Sequence, residues 1–155
     1  MVQKSKMTDR KIKNIILNHL MINGNKKTCE TTLLKSLKNI QKDCNKPHKT
    51  IIKIAIINST SAFRLIQLKQ KKRKIKKKKN SKEIPIFISN NNERIIWALK
   101  FIVQNIKKNT TIKLHSKLTR EIISNSQNKG NSLQIKTDLH KQTITKKRMF
   151  LYFRW

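Results

Sequence analysis

The run KQKKRKIKKKK at residues 69–79 sets nine cationic side chains, Lys69, Lys71, Lys72, Arg73, Lys74, Lys76, Lys77, Lys78 and Lys79, into eleven positions. The chemistry open to such a run is neutralisation of phosphates with release of their counterions. Lysine does this as a point charge, without the bidentate fork of arginine, so affinity should depend strongly on salt. Little else in the chain points to reaction chemistry. No carboxylate pair, Ser/His/Asp cluster or glycine-rich phosphate loop is visible, and two glycines leave little room for one. His19, His48, His115 and His140 share no metal-ligand spacing with each other or with Cys29 and Cys44. The histidines read as surface or RNA-facing residues and the cysteines as small helix-face residues. The expectation is a protein that is not an enzyme, with no catalytic residue, no metal and no cofactor.

The whole chain shares the bias of that run. Its 155 residues carry 38 Lys and Arg against 7 Asp and Glu, a net charge of +31. That size suffices for one domain with a real core. The charge would make an isolated chain repel itself, so an external polyanion is expected, nucleic acid first among candidates. The seven acids, Asp9, Glu30, Asp43, Glu83, Glu93, Glu121 and Asp138, are too dispersed to neutralise the basic segments internally. A membrane surface could also supply negative charge. However, the best apolar stretch, IIKIAII at residues 51–57, is short and broken by Lys53, and residues 1–10 are too polar for a secretory signal. Lysine, isoleucine and asparagine dominate while arginine, alanine and glycine are scarce, which suggests an AT-rich and hence organellar genome.

The run must be positioned by structured flanks, or it is only a solvated block or an address label. FRLIQLK at 63–69 and EIPIFIS at 83–89 alternate at period two and predict two strands pairing as a ribbon, with Pro85 on an edge. The basic run then becomes a charged finger on a helical body. For that body, Ile12, Ile15, Ile16 and Leu20 predict a first helix, with Gly24 as a left-handed cap. Thr28 is the expected cap of a second, with Glu30 in its first turn and Leu33, Leu34, Leu37 and Ile40 as its apolar stripe. Asn45 and Pro47 should open a third, with Ile51, Ile54 or Ala55, and Ile57 in the core. Asn91 or Asn92 should cap a fourth, whose stripe is Ile95, Ala98 or Leu99, Ile102 and Ile106. A fifth is expected near 111–124 on Leu114, Leu118 and Ile122, followed by a turn in which Gly130 takes a positive φ. A last helix should start near Thr137 or Asp138 and run toward FLYFRW.

Several segments, in order, resemble ribosomal protein seven of the small subunit in its bacterial and organellar form. LMINGNKKT at 20–28 is similar to that family's Leu-Met-x-[Asp/Asn]-Gly-Lys-Lys-[Ser/Thr] turn with one residue inserted. IPIFI resembles its Val-Pro-Val-x-Val second ribbon strand, and ERIIWALKFIV at 93–103 its Arg-Arg-x-x-x-Ala-x-Arg-Trp-[Ile/Leu]-Val helix, matching at Arg94 and Ala98 and, conservatively, at Lys100 and Phe101, which stand for the family's Arg and Trp. NKG at 128–130, DLH at 138–140 and YFRW at 152–155 follow at nearly the right separations. The resemblance implies a mainly α fold: one domain over 1–155, six helices, and an inserted two-stranded basic β-ribbon at 63–89 between the third and fourth, with a short basic segment at 1–10. It also implies binding to the 3′ major domain of small-subunit rRNA, assembly of the head, and a ribbon near mRNA and exit-site tRNA. Other head proteins and a platform protein would be neighbours, with no membrane partner. The expected compartment is the mitochondrial matrix, with the plastid as alternative. Carried over by position, Lys26, Lys27, the ribbon residues named above, Arg94, Lys100, Lys107, Lys108, Lys113, Lys117 and Lys129 are the expected RNA contacts. The sequence departs from the family at the ribbon tip, where IKKKKNSK replaces a glycine pair. It departs also in the shorter N-terminal arm and in ending at Trp155, where bacterial members continue with a basic tail.

Overall fold

Apolar periodicity builds most of the body. The computed structural model describes residues 9–21, 23–44, 46–68, 82–108 and 113–152. Helix α1 (Asp9–Leu20) buries Ile16, Leu17 and Leu20, and α2 (Lys26–Asp43) buries Cys29, Leu33, Ser36 and Ile40. Helix α3 (His48–Ser59) adds Ile51, Ala55 and Ile56. Helix α4 (Asn91–Lys108) supplies Ala98, Leu99, Ile102, Val103 and Ile106, and α5 (Leu114–Ser126) Leu118 and Ile122. The apolar residues among these form one cluster, with each buried leucine or isoleucine worth about 1.5–3 kcal/mol relative to exposure.

Strands β1 (Phe63–Leu68) and β2 (Lys82–Phe87) pair antiparallel between α3 and α4, in a register that sets Phe63 opposite Phe87 and Leu65 opposite Pro85. Pro85 can sit there because a two-stranded ribbon leaves each strand one edge without a partner. The fold is thus the expected six-helix body with an inserted ribbon. Helix α6 (Asn131–Thr145) and a 3₁₀ turn (Lys147–Tyr152) complete it.

The structure corrects several local expectations. Helix α2 starts at Lys26 with Asn25 in the capping position, so Thr28 lies inside the helix and Glu30 beyond the first turn. There the Thr28 carbonyl accepts the hydroxyls of Thr31 and Thr32. Leu34 and Ile57 are exposed, because the buried stripes pass through Leu33 and Ile40 in α2 and through Ala55 and Ile56 in α3. Asn45 lies outside the described residues, and Pro47 precedes α3 directly. Helix α4 is capped one residue earlier than expected, by Asn90, whose Oδ1 accepts the Asn92 N–H at 2.9 Å. Gly24 does have a positive φ, +75°, but in a turn, four residues beyond the end of α1, where Asn23 is left-handed too.

Helix α6 departs most. It begins six residues before Thr137, and Gly130, with φ −78°, is its capping residue rather than a left-handed turn position. The positive φ of that turn belongs to Asn128, at 61°. Its two fully buried side chains, Ser132 and Thr143, are polar, while Ile144 is exposed. An apolar stripe does not define such a helix. Polar contacts tie it to its neighbours, Ser132 to Glu121 of α5 and Lys136 to the Asn58 carbonyl of α3.

Candidate nucleic-acid interface

Of the expected contacts, Lys69, Lys71, Lys72, Arg73, Lys74, Lys76, Lys77, Lys78 and Lys79 lie outside the described residues, between two strands that are described. The others fall on several sides of the body. Lys26 and Lys27 open α2 and are exposed. The positive end of the helix dipole adds to their own charge, so an anion there would meet ammonium groups and backbone N–H groups together. Lys113 stands at the start of α5, with half-buried Lys117 one turn on, and exposed Lys129 follows the far end of the helix. A 13-residue helix separates the two groups by roughly 20 Å, so they cannot grip the same phosphate. Lys108 ends α4.

A tighter grouping forms where α1 packs on α4. Burial holds the imidazole of His19, in the last turn of α1, below the ordinary 6.5, and the charges of Lys100 and Lys107 on α4 add to the effect. The Lys100 ammonium sits 4.4 Å from the centre of the Trp97 ring. Sequence reasoning read His19 only as one of four surface or RNA-facing histidines and missed Trp97. The helical spacing of Trp97 and Lys100 was a usable signal, whereas the approach of α1 was not.

Arg94 serves the fold. Its Nε donates to the Ile88 carbonyl at 2.7 Å, and its guanidinium lies 5.0 Å from the centre of the Phe87 ring, so it ties the start of α4 to the end of β2. It belongs to a cluster at the ribbon's root. Phe63 packs edge-on to Phe87 and to His140, and stacks on Phe150 of the 3₁₀ turn. His140 Nε2 lies 3.1 Å from Ser61 Oγ, and Lys146 donates to Glu83 of β2 at 2.7 Å. Lys136, where burial pushes the ammonium pKa down, donates to the Asn58 carbonyl at 2.7 Å. These contacts fix how the ribbon leaves the body. They join residues far apart in the chain, so no local spacing announces them.

Two histidines give the body a pH response. His140 is held below 6.5 by burial and by the Lys136 charge, and His19 as described. Each therefore takes up a proton in the unfolded chain before the folded one, so stability is full above pH 6.5 and falls as pH drops toward the folded values. The Glu83 carboxyl, lowered by its hydrogen bonds from Lys146 and Gln67, loses its contribution only in the acid carboxylate range. The melting temperature should fall between pH 7.5 and 5. It should fall less in His140→Gln, and least in a variant also carrying His19→Gln; an unchanged pH slope in the double variant would remove both histidines from this account.

The described residues hold no group of three or more His, Cys, Asp or Glu able to bind a metal, and no helix long and apolar enough to cross a membrane. A polar cleft of about 340 Å³ between α2 and α5 is lined by residues including Asp43 and Arg120.

Comparison with known families decides what this basic body is. The model for ribosomal protein S7p/S5e matches residues 1–147. The chain belongs to that family. Among its relatives, the small ribosomal subunit protein uS7 of Wigglesworthia glossinidia brevipalpis is 25% identical over 139 residues, covering 90% of this chain and 83% of its own. The uS7m protein of Reclinomonas americana is also 25% identical over 139 residues, covering 90% and 82%. The uS7c protein of Euglena gracilis is 27% identical over 126 residues, covering 81% and 76%. The S7p/S5e family is a structural, non-enzymatic component of the small ribosomal subunit, which accounts for a basic body without catalytic machinery.

Proposed function

We propose that this S7-family chain binds the 3′ major domain of small-subunit rRNA, helps to assemble the head, and carries the basic ribbon at 63–89 toward mRNA and exit-site tRNA. Other head proteins and, across the exit site, a platform protein are its neighbours. The whole chain acts as one domain, with 1–10 as a short basic arm. The single observation that carries the reading is charge that the fold leaves uncompensated. Of seven acidic residues against 38 basic ones, Asp9 already faces Lys49 and Lys53, Glu83 holds Lys146, and Glu121 caps α6. An RNA surface supplies the missing counter-charge, and the fit of a rigid helical body to a folded junction supplies selectivity, because the deep groove of A-form RNA resists side-chain reading.

The RNA contacts in this reading are Lys26, Lys27, the cations at 69–79, Lys100, Lys107, Lys108, Lys113, Lys117 and Lys129. Arg94 contributes there chiefly by setting the ribbon's root. The compartment we favour is the mitochondrial matrix, with the plastid as the alternative. Support comes from the Lys, Ile and Asn bias and from relatives that include uS7m and uS7c forms.

The test is competition between the 3′ major domain fragment of the source's own rRNA and an unrelated folded RNA of equal length, at rising salt. Preference for the ribosomal fragment should persist at a salt concentration that releases the competitor. Changing Lys76, Lys77, Lys78 and Lys79 to glutamine should lower the slope of log affinity against log salt by up to about 3 while leaving helical circular dichroism intact. Release of both RNAs together would reduce the protein to a generic polycation, and loss of helical signal would contradict the separation of finger from body.

A further inference from the structure

The core side of α4 carries Ala98, Leu99, Ile102, Val103 and Ile106. At 3.6 residues per turn, Trp97, Lys100, Gln104 and Lys107 share an arc of about 80° on the opposite side. Gln104 and Lys107 are exposed, and Trp97 and Lys100 half-buried. A tryptophan on the side away from the core calls for a reason. Its ring leans on Phe101, with centroids 6.0 Å apart and planes at 48°, and the Lys100 ammonium sits over it at 4.4 Å. Lys107 and His19 lie on the same flank, while exposed Glu93 stands one turn toward the start of the helix and discourages a phosphate there.

We infer that Trp97 is a stacking platform for an unpaired RNA base, and that Lys100 covers the platform until a phosphate draws its ammonium away. The inference rests on the reading of this face as RNA-binding. A half-exposed ammonium–indole contact is weak beside a charge-assisted hydrogen bond, so a phosphate, carrying full charge, competes for the ammonium effectively. Once the ammonium moves, the indole face is open, and any base can lie on it because every base has a π-face. A duplex keeps its bases inside the stack, so the occupant must come from a loop, bulge or single strand. Lys107 and Lys100 then hold the flanking phosphates on the side away from Glu93.

The experiment uses the full chain with Trp155→Phe, which leaves Trp97 as its only tryptophan. The probes are an eight-nucleotide oligoadenylate and an inorganic polyphosphate of similar charge. Oligoadenylate should quench Trp97 emission strongly and polyphosphate should not. In the chain that retains Trp155, Trp97→Leu should weaken oligoadenylate binding about tenfold while leaving polyphosphate binding within about twofold. Trp97→Phe, which keeps an aromatic face, should retain most of the affinity and serves as the test if the leucine variant loses its helical signal. Equal quenching by both probes, or oligoadenylate affinity unchanged in the variants, would overturn the inference. The rRNA competition distinguishes the two readings: lost rRNA preference with stacking intact counts against the ribosomal contact alone, and intact preference with a silent Trp97 counts against the platform alone.

Discussion

Replacing Glu121 with alanine is expected to destabilise the protein by about 3 kcal/mol, the cost of removing a charged acceptor from buried donors. Glu121 is only 8% exposed, and its Oε1 accepts both the Ser132 N–H at 2.9 Å and the Ser132 hydroxyl at 2.6 Å. Ser132 is the second residue of α6, where backbone N–H groups have no partner within their own helix. The cap of α6 thus comes from α5, and its negative charge also meets the positive end of the helix. Alanine would leave a buried N–H and a buried hydroxyl unsatisfied while Gly130, just outside the helix, offers no side chain to replace the cap. For a chain of this size the melting temperature should fall by roughly 10 °C. Glu121→Gln, which keeps an acceptor oxygen and loses the charge, should cost about half as much. Thermal and urea unfolding measure both, and a glutamine variant as unstable as the alanine variant would assign the effect to charge rather than to the hydrogen bonds.

Gly130→Ala is expected to cost about 1–3 kcal/mol by overpacking. A Cβ there would stand 1.6 Å from Asn125 Oδ1 and 3.1 Å from the Asn125 backbone nitrogen. Asn125 is fully buried, so its side chain has little room to swing aside. Its Oδ1 and Nδ2 make no hydrogen bond among the described residues, so the amide contributes bulk against Gly130 rather than a bonded network. The clash therefore predicts non-additivity: in an Asn125→Ala background, Gly130→Ala should cost markedly less than it does alone. Simple addition of the two effects in a double-mutant cycle would rule out this contact as the cause. Gly24 provides the contrast. No atom lies within 4 Å of its would-be Cβ, so Gly24→Ala should cost only the roughly 1–2 kcal/mol of a left-handed backbone at φ +75°.

Both predictions concern the junction of α5 and α6, where sequence reasoning went furthest astray. Gly130 was expected to supply a positive φ, as glycine in a turn commonly does. Its role is instead to admit the Asn125 side chain, a requirement set by an atom five residues away in the chain but pressed against it in space. The start of α6 was misplaced for a related reason. Its cap is a carboxylate eleven residues earlier on another helix, and its buried side chains are Ser132 and Thr143, so neither a local capping box nor an apolar stripe marks residues 131–136. The errors at Leu34 and Ile57 were smaller. Each apolar run offers more candidate positions than one helical face can bury, and neighbouring helices choose among them.

The candidate interface divides in the same way. Charge and type identify the lysines, but three-dimensional packing decides that the charges of Lys100 and Lys107 on α4 act on His19 of α1, and that Lys113 and Lys129 stand at opposite ends of α5. Packing also gives Arg94 contacts with the Ile88 carbonyl and the Phe87 ring that its sequence position did not announce.

By itself the sequence determined the excess of basic charge, the helical class and the two strands flanking the basic run. Net charge and hydrophobic period are sums over residue types and short spacings, and they survive without knowledge of the fold. Only the tertiary structure decided where α6 begins, why Gly130 must be glycine, which cations converge, and how the ribbon is fastened through Phe63, His140 and Lys146. Those features depend on hydrogen bonds and steric contacts between residues far apart in the chain, 79 positions for Ser61 and His140, and no local pattern carries such information.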